Sequence, residues 1–176
     1  KVIDKINTQL DKYAMNHVKL VEYKEEAYAK ILATAKYLVT DTSFPNFFVK
    51  REDQVYLNTW HGTPFKGMGR MVKDCEFNIS NVQRNFIMAD YLLYQKKKKK
   101  RVFFEDFMLE PIFHGKTVIG GYPRNSVFFE QKMRKEIRDE YHITNKEVLV
   151  YMPTWRGLLH KKKIKSQVSN IGSYLE

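Results

Sequence analysis

Tyr56-Leu-Asn-Thr-Trp-His-Gly-Thr-Pro-Phe-Lys66, continued by Gly67-Met68-Gly69, is the stretch on which the fold turns. Its first half extends a run from Gln54 to Trp60 in which Val55, Tyr56 and Leu57 give strand propensity. Its second half, His61 to Gly69, is a glycine-rich turn. Open α/β sheets gather ligands beyond the carboxyl ends of their strands, and this is a strand leading straight into such a turn. His61 is then the first residue out of the strand, and Gly62 lets backbone approach a ligand closely. Thr63, Lys66 and the nearby amides suit a phosphate. The glycines at 62, 67 and 69 match neither a dinucleotide fingerprint nor a Walker A loop. The same residues would also make a plain tight turn whose histidine is only hydrogen-bonded.

Working outward toward the N-terminus, Phe44-Pro45-Asn46 breaks regular structure, and Tyr37 to Thr40 reads as a buried strand. Before it, Tyr28, Ile31, Leu32 and Ala35 recur at helical spacing. So do Ile3, Ile6, Leu10, Tyr13, His17 and Leu20, which predicts helix from Lys1 to about Lys36. Toward the C-terminus, Asn81 to Ala89 reads as helix and Asp90 to Tyr94 as strand. Val102 to Phe113 reads as helix and Thr117 to Gly120 as a short strand. Phe129, Met133, Ile137 and Tyr141 then predict an amphipathic helix with Asn125 or Ser126 as N-cap. Val148 to Met152 reads as a last strand before Pro153. Helices alternating with short apolar strands predict a parallel α/β sheet with helices on both faces.

Two more segments follow predicted strands. In Gly121-Tyr-Pro-Arg-Asn125, Arg124 at a helix start could fork onto a phosphate, or Pro123 and Asn125 could simply shape a turn. Tyr151-Met-Pro-Thr-Trp-Arg156 is weak alone, since proline commonly ends a strand. Taken together and in this order, Trp-His-Gly-Thr-Pro-x-Lys, Gly-Tyr-Pro-Arg-Asn and Met-Pro-Thr-Trp-Arg resemble the CDP-glycerol glycerophosphotransferase family of teichoic acid primases and polymerases. Ala35-Lys-Tyr-Leu-Val39, Asn81-Val-Gln-Arg-Asn85 and Ala89-Asp-Tyr-Leu-Leu93 read the same way, so the resemblance runs from about Tyr28 to Arg156.

The resemblance implies the Rossmann-like N-terminal lobe of a GT-B type fold, with the active site between two lobes. Residues 1–145 are expected to be the acceptor-side lobe with its leading helix, and 146–176 the start of the donor-binding lobe. The donor half with its second histidine is then expected to be missing, leaving the isolated chain inactive. The implied reaction passes glycerol phosphate from CDP-glycerol to a membrane-linked (poly)glycerophosphate, releasing CMP, in wall teichoic acid synthesis. His61 maps onto the base, with Gly62, Thr63, Pro64 and Lys66 as its supporting loop. Arg124 and Asn125 fall near the cleft, and Thr154 and Arg156 are donor-side candidates. No redox cofactor is implied. The chain departs from the family after Asp-Tyr-Leu-Leu, where Tyr94-Gln95 and a lysine run replace a polar turn, and at Arg70-Met71.

Charge agrees with an anionic partner. The 176 residues carry 31 Lys+Arg against 20 Asp+Glu, a net +11. The densest patch is Lys96, Lys97, Lys98, Lys99, Lys100 and Arg101, which suits a membrane or polyanion surface. A lipid-linked primer on the cytoplasmic face of the cell membrane would be such a partner. A basic nucleic-acid-binding module is the alternative that charge alone permits, although no nucleic-acid motif is recognisable; a non-catalytic acceptor-binding fragment is another. No apolar stretch is long enough to span a bilayer. The lone Cys75 closes no internal disulfide, which suits a reducing compartment. His17, His114, His142 and His160 show no metal-ligand spacing.

Overall fold

The structure, a computed structural model, describes residues 2–23, 25–64, 67–72 and 79–152. Four parallel strands form one sheet in the order β1-β2-β3-β4: β1 (Tyr37–Thr40), β2 (Val55–Asn58), β3 (Tyr91–Tyr94) and β4 (Lys116–Ile119). Helices α1 (Val2–Lys12) and α2 (Glu26–Thr34) precede β1. Helix α3 (Ser80–Met88) connects β2 to β3, α4 (Lys97–Asp106) connects β3 to β4, and α5 (Gln131–Glu140) follows. All strands run the same way, so all four carboxyl ends lie along one edge. The chain divides into two compact units, Lys1–Ser126 and Val127–Glu176. The sheet and every residue of the site below belong to the first.

Burial alternates along the central strands because successive side chains point to opposite faces. Leu38, Tyr56, Asn58, Leu92 and Tyr94 are buried on one face. They pack with Leu32 of α2, Phe86 of α3, and Phe103, Phe104 and Phe107 of α4 or its end. The other face is more open: Tyr37 is 68% exposed and Val39 67%, while Leu57 and Leu93 are half-buried. Helices on both faces were expected; among the described residues only one face is deeply covered. Strands that follow one another in sequence and in space send right-handed crossovers to the same side, so each connection adds to one core.

The long leading helix is also shorter than its periodicity suggested. Ala14 takes a left-handed φ of 51°, and the Met15 N–H turns back to the Leu10 carbonyl, ending α1. Nothing in α1 is buried, so its apolar stripe has no surface here to dictate further turns. Helix α4 starts at Lys97, inside the lysine run, and not at Val102. Lysine is a good helix former, and Lys99 and Phe103, four residues apart, both face the core. Residues 148–152, expected as a strand, form none: Leu149 is 95% exposed. An apolar run becomes a strand only beside a neighbour that takes its hydrogen bonds. Asn125 and Ser126 sit within a 3-10 segment, Pro123–Phe129, and α5 is preceded instead by Glu130.

Candidate active site

The end of β2 is shaped by a chain of buried polar groups. Asn58 Nδ2 donates to the Thr42 carbonyl at 2.8 Å and to the Tyr56 hydroxyl at 3.0 Å, while its Oδ1 accepts the Trp60 N–H at 2.9 Å. The Tyr56 hydroxyl donates to Asn85 Oδ1 at 3.2 Å, which also takes the Phe44 N–H at 2.8 Å. Asn85 Nδ2 donates to the carbonyl of Asn81 at 2.8 Å and that of Phe44 at 3.2 Å. Tyr56, Asn58 and Asn85 are essentially inaccessible to solvent, and burial pushes the Tyr56 hydroxyl up to about 12. Buried polar groups are tolerated only when bonded, and this network is bonded throughout. It pins the loop after β1 to the loop after β2.

That pinning determines where His61 goes. Trp60 adopts a left-handed φ of 53°, held by Asn58 and by packing of its indole against Phe86 and Phe103. The His61 ring stacks on the indole with centroids 4.4 Å apart, and it stands exposed at the carboxyl edge. His61 Nδ1 lies 2.8 Å from the Asp41 carbonyl oxygen. A carbonyl only accepts, so Nδ1 carries the proton and the neutral ring keeps its lone pair on Nε2. The ring is thus oriented by backbone and offers a base.

From beyond β4, Arg124 reaches the same place: its Nη2 donates to the His61 carbonyl at 2.7 Å. Its guanidinium also lies 4.9 Å over the Tyr122 ring. In front of Gly62 and Gly121 an added Cβ would meet nothing within 4 Å, so both turns border open space. Gly69 does a different job. Its φ is +53°, and a Cβ there would overlap the Asp106 carbonyl oxygen at the end of α4, so it serves packing.

The third approach to the edge is the start of α4. Thr63 Oγ1 donates to Gln95 Oε1 at 3.1 Å, joining the loop after β2 to the turn after β3. Between them lies a cavity of about 440 Å³ lined by Thr63, Pro64, Gln95, Lys96, Lys98 and Lys99 among others. Lys96, Lys97, Lys98 and Arg101 are exposed, but Lys99 is only 4% exposed, which corrects its place in a surface patch. The same helical turn that exposes its neighbours carries it inward. Its ammonium lies 4.4 Å over the Tyr122 ring, 5.2 Å over Phe103 and 5.9 Å over Tyr94. Lys99 Nζ and the Tyr94 and Tyr122 hydroxyls are buried without a hydrogen-bond partner. Ring faces return about 2 kcal/mol to a desolvated cation, whereas its desolvation costs several kcal/mol. Burial first, and Arg124 second, therefore hold Lys99 down at about 8.

Over residues 2–171 the sequence matches the family described as CDP-Glycerol:Poly(glycerophosphate) glycerophosphotransferase. The chain belongs to that family. Among the relatives of this glycerophosphotransferase-family chain is the teichoic acid poly(glycerol phosphate) polymerase of Bacillus spizizenii. The two are 31% identical over 167 residues, covering 88% of this chain and 40% of that protein. The teichoic acid glycerol-phosphate transferase of Staphylococcus aureus is 30% identical over 134 residues, covering 69% and 34%. A solved structure of the wall teichoic acid polymerase TagF soaked with CDPG superposes with a TM-score of 0.66 at 27% identity. That match covers 77% of this chain and 36% of that one. The fold class is therefore the expected one, an α/β lobe of the GT-B kind. The chain spans well under half the length of these relatives.

The structure of the family member thus brings His61, Thr63, Pro64 and Arg124 to one edge, with Asn125 one residue further on. Lys66, Thr154 and Arg156 lie outside the described residues. Reading the sequence missed Asp41, Asn58, Asn85 and Gln95, which orient the site through side-chain or carbonyl contacts that mostly join segments far apart in sequence. The one available signal was Asn58, a polar residue at an inward position of an otherwise apolar strand. Among the described residues no group of three His, Cys, Asp or Glu side chains is placed to hold a metal ion.

Proposed function

We propose that this chain supplies the acceptor-side lobe of an enzyme that transfers glycerol phosphate from CDP-glycerol to a lipid-linked (poly)glycerophosphate. The observation that carries this reading is the His61 ring, held through Nδ1 by the Asp41 carbonyl with Nε2 free beyond the sheet's carboxyl edge. The terminal glycerol hydroxyl of the acceptor attacks the β-phosphorus of CDP-glycerol. The hydroxyl proton passes to Nε2 of His61, the bond from phosphorus to the bridging oxygen breaks, and CMP leaves. An alcohol is a weak nucleophile at neutral pH, and a positioned base removes its proton as the new bond forms. Arg124 supports the loop through the His61 carbonyl and adds positive charge near the phosphate.

In this scheme residues 1–145 form the acceptor lobe and 146–176 begin the donor side, and Lys66, Asn125, Thr154 and Arg156 are the further candidates for substrate contact. The exposed Lys96, Lys97, Lys98 and Arg101, together with the net +11, draw the anionic polymer and the cytoplasmic leaflet that holds it. Among the described residues no helix is long and apolar enough to cross a membrane.

His61→Ala, made in the chain extended to the full length of its relatives, tests the reading. CMP release should fall about 10²–10⁴-fold, with melting temperature and CDP-glycerol affinity little changed. A folded variant that transfers at the parent rate would remove His61 as the base. Activity lost only in step with unfolding would make the residue structural.

A further inference from the structure

The transfer step leaves the cavity at the start of α4 without a task. Its lining is unusual for a solvated crevice. Lys99 is nine-tenths buried and its Nζ has no hydrogen-bond partner, yet it lines this open space of about 440 Å³. The other polar side chains lining it are those of Thr63, Gln95, Lys96 and Lys98, beside Pro64 and Val102, with no carboxylate among the described lining residues. Helix α4, ten residues long, opens here with its macrodipole's positive end and no side-chain cap hydrogen bond at Lys96. Arg124 adds a further cation next to Lys99, across the Tyr122 ring that both approach.

We propose that this cavity is a phosphate site, with Lys99 as its buried cation and the Thr63–Pro64 loop and the start of α4 as its walls. Resting on the function proposed above, the phosphate is the phosphodiester of the acceptor chain nearest the hydroxyl that reacts. The cavity begins two residues beyond His61, so a phosphate held there places the next glycerol at the base. The arrangement also sets a register: the acceptor is gripped one phosphate back from its growing end. The Lys99 Nζ lies over the Tyr122 ring, closed off from solvent, and a bound phosphate gives it a partner once the side chain swings from that ring into the cavity. Arg124, the charged group that bears on Lys99, is itself a cation, and the described lining carries no carboxylate, so an oxyanion answers the charge.

The test uses inorganic phosphate and the diester glycerophosphoglycerol as probes, titrated calorimetrically into the 176-residue chain and into Lys99→Met. The linear methionine fills the same space without charge. The parent should bind the diester, more weakly as salt rises and as pH passes about 8. Lys99→Met should lose affinity roughly tenfold or more. Lys30→Met, the same change of charge on α2, should bind as the parent does. Equal affinity in Lys99→Met, or an equal loss in Lys30→Met, would overturn the proposal. Preference for inorganic phosphate over the diester would overturn the acceptor assignment and leave a site for free phosphate. NMR of the Lys99 side chain in the parent gives a readout independent of how the variant folds. Its titration should move upward when the diester is added, and an unmoved titration counts against the site. His61→Ala separates this inference from the catalytic one, since it should slow transfer in the full-length chain by about 10²–10⁴-fold and still bind the diester.

Discussion

Two buried polar clusters lie in the same lobe, and they are built on opposite terms. In the Tyr56–Asn58–Asn85 cluster the side-chain oxygens and amides are bonded, to one another or to backbone at 2.8–3.2 Å. In the Tyr94–Lys99–Tyr122 cluster all three polar atoms lack a partner. The first fixes the loops that present His61; it is structure in the service of a site. The second is destabilised as it stands, and such a cluster is expected where a ligand completes it. Satisfaction of buried groups thus separates scaffold from binding surface more sharply than residue type does.

Removing a member of each cluster should therefore shift stability in opposite directions. The largest effect is expected at Asn85→Ala, which leaves the Tyr56 hydroxyl and the Phe44 N–H without their acceptor. The loss should be about 3 kcal/mol in chemical denaturation, and in the full-length enzyme proposed above transfer should fall as well, because the Asp41–Phe44 loop no longer holds His61. A variant as stable as the parent would mean the network is dispensable and the contrast false.

Lys99→Met should do the reverse and raise the melting temperature at neutral pH. The pH profile sharpens this. Lys99 titrates near 8 in the folded chain against 10.5 when unfolded, so the unfolded chain holds the proton more tightly. Its destabilisation is complete below about 8 and is relieved as pH rises from there to 10.5. The difference in stability between parent and variant should shrink across that window and be flat below it. A difference that grows with pH would show that Lys99 has a partner in the folded chain.

The smallest effect is expected at Tyr94→Phe. Deleting a buried hydroxyl that bonds nothing in the chain should be neutral or stabilising by about 1 kcal/mol. A clear loss of stability there would move Tyr94 into the satisfied class.

Much of the fold was legible because its signals are local. The strands around Leu38, Tyr56, Leu92 and Val118, and the helix around Phe86, announce themselves by propensity and period. Where local signals misled, the missing information was the neighbour. The stripe of α1 has the right period but none of its residues is buried, and residues 148–152 have strand chemistry and no adjacent strand among the described residues. The lysine run read as a charged surface patch ahead of a helix beginning at Val102, yet it starts that helix because Lys99 and Phe103 share an inward face.

The sequence by itself determined the parallel α/β architecture, the family, and the placement of His61 and Arg124 just beyond strand ends, since each follows from motifs and periodicities a few residues long. It could also say that the chain is basic. Only the tertiary structure decided that the Arg124 guanidinium holds the His61 carbonyl across 63 positions, and that a carbonyl 20 residues away chooses the proton-bearing nitrogen of the ring. Only it separated Lys99 from five neighbours of the same charge. A hydrogen bond or a burial depends on what the rest of the chain brings within 3 Å, and contacts across such separations leave no periodic trace in the residues that make them.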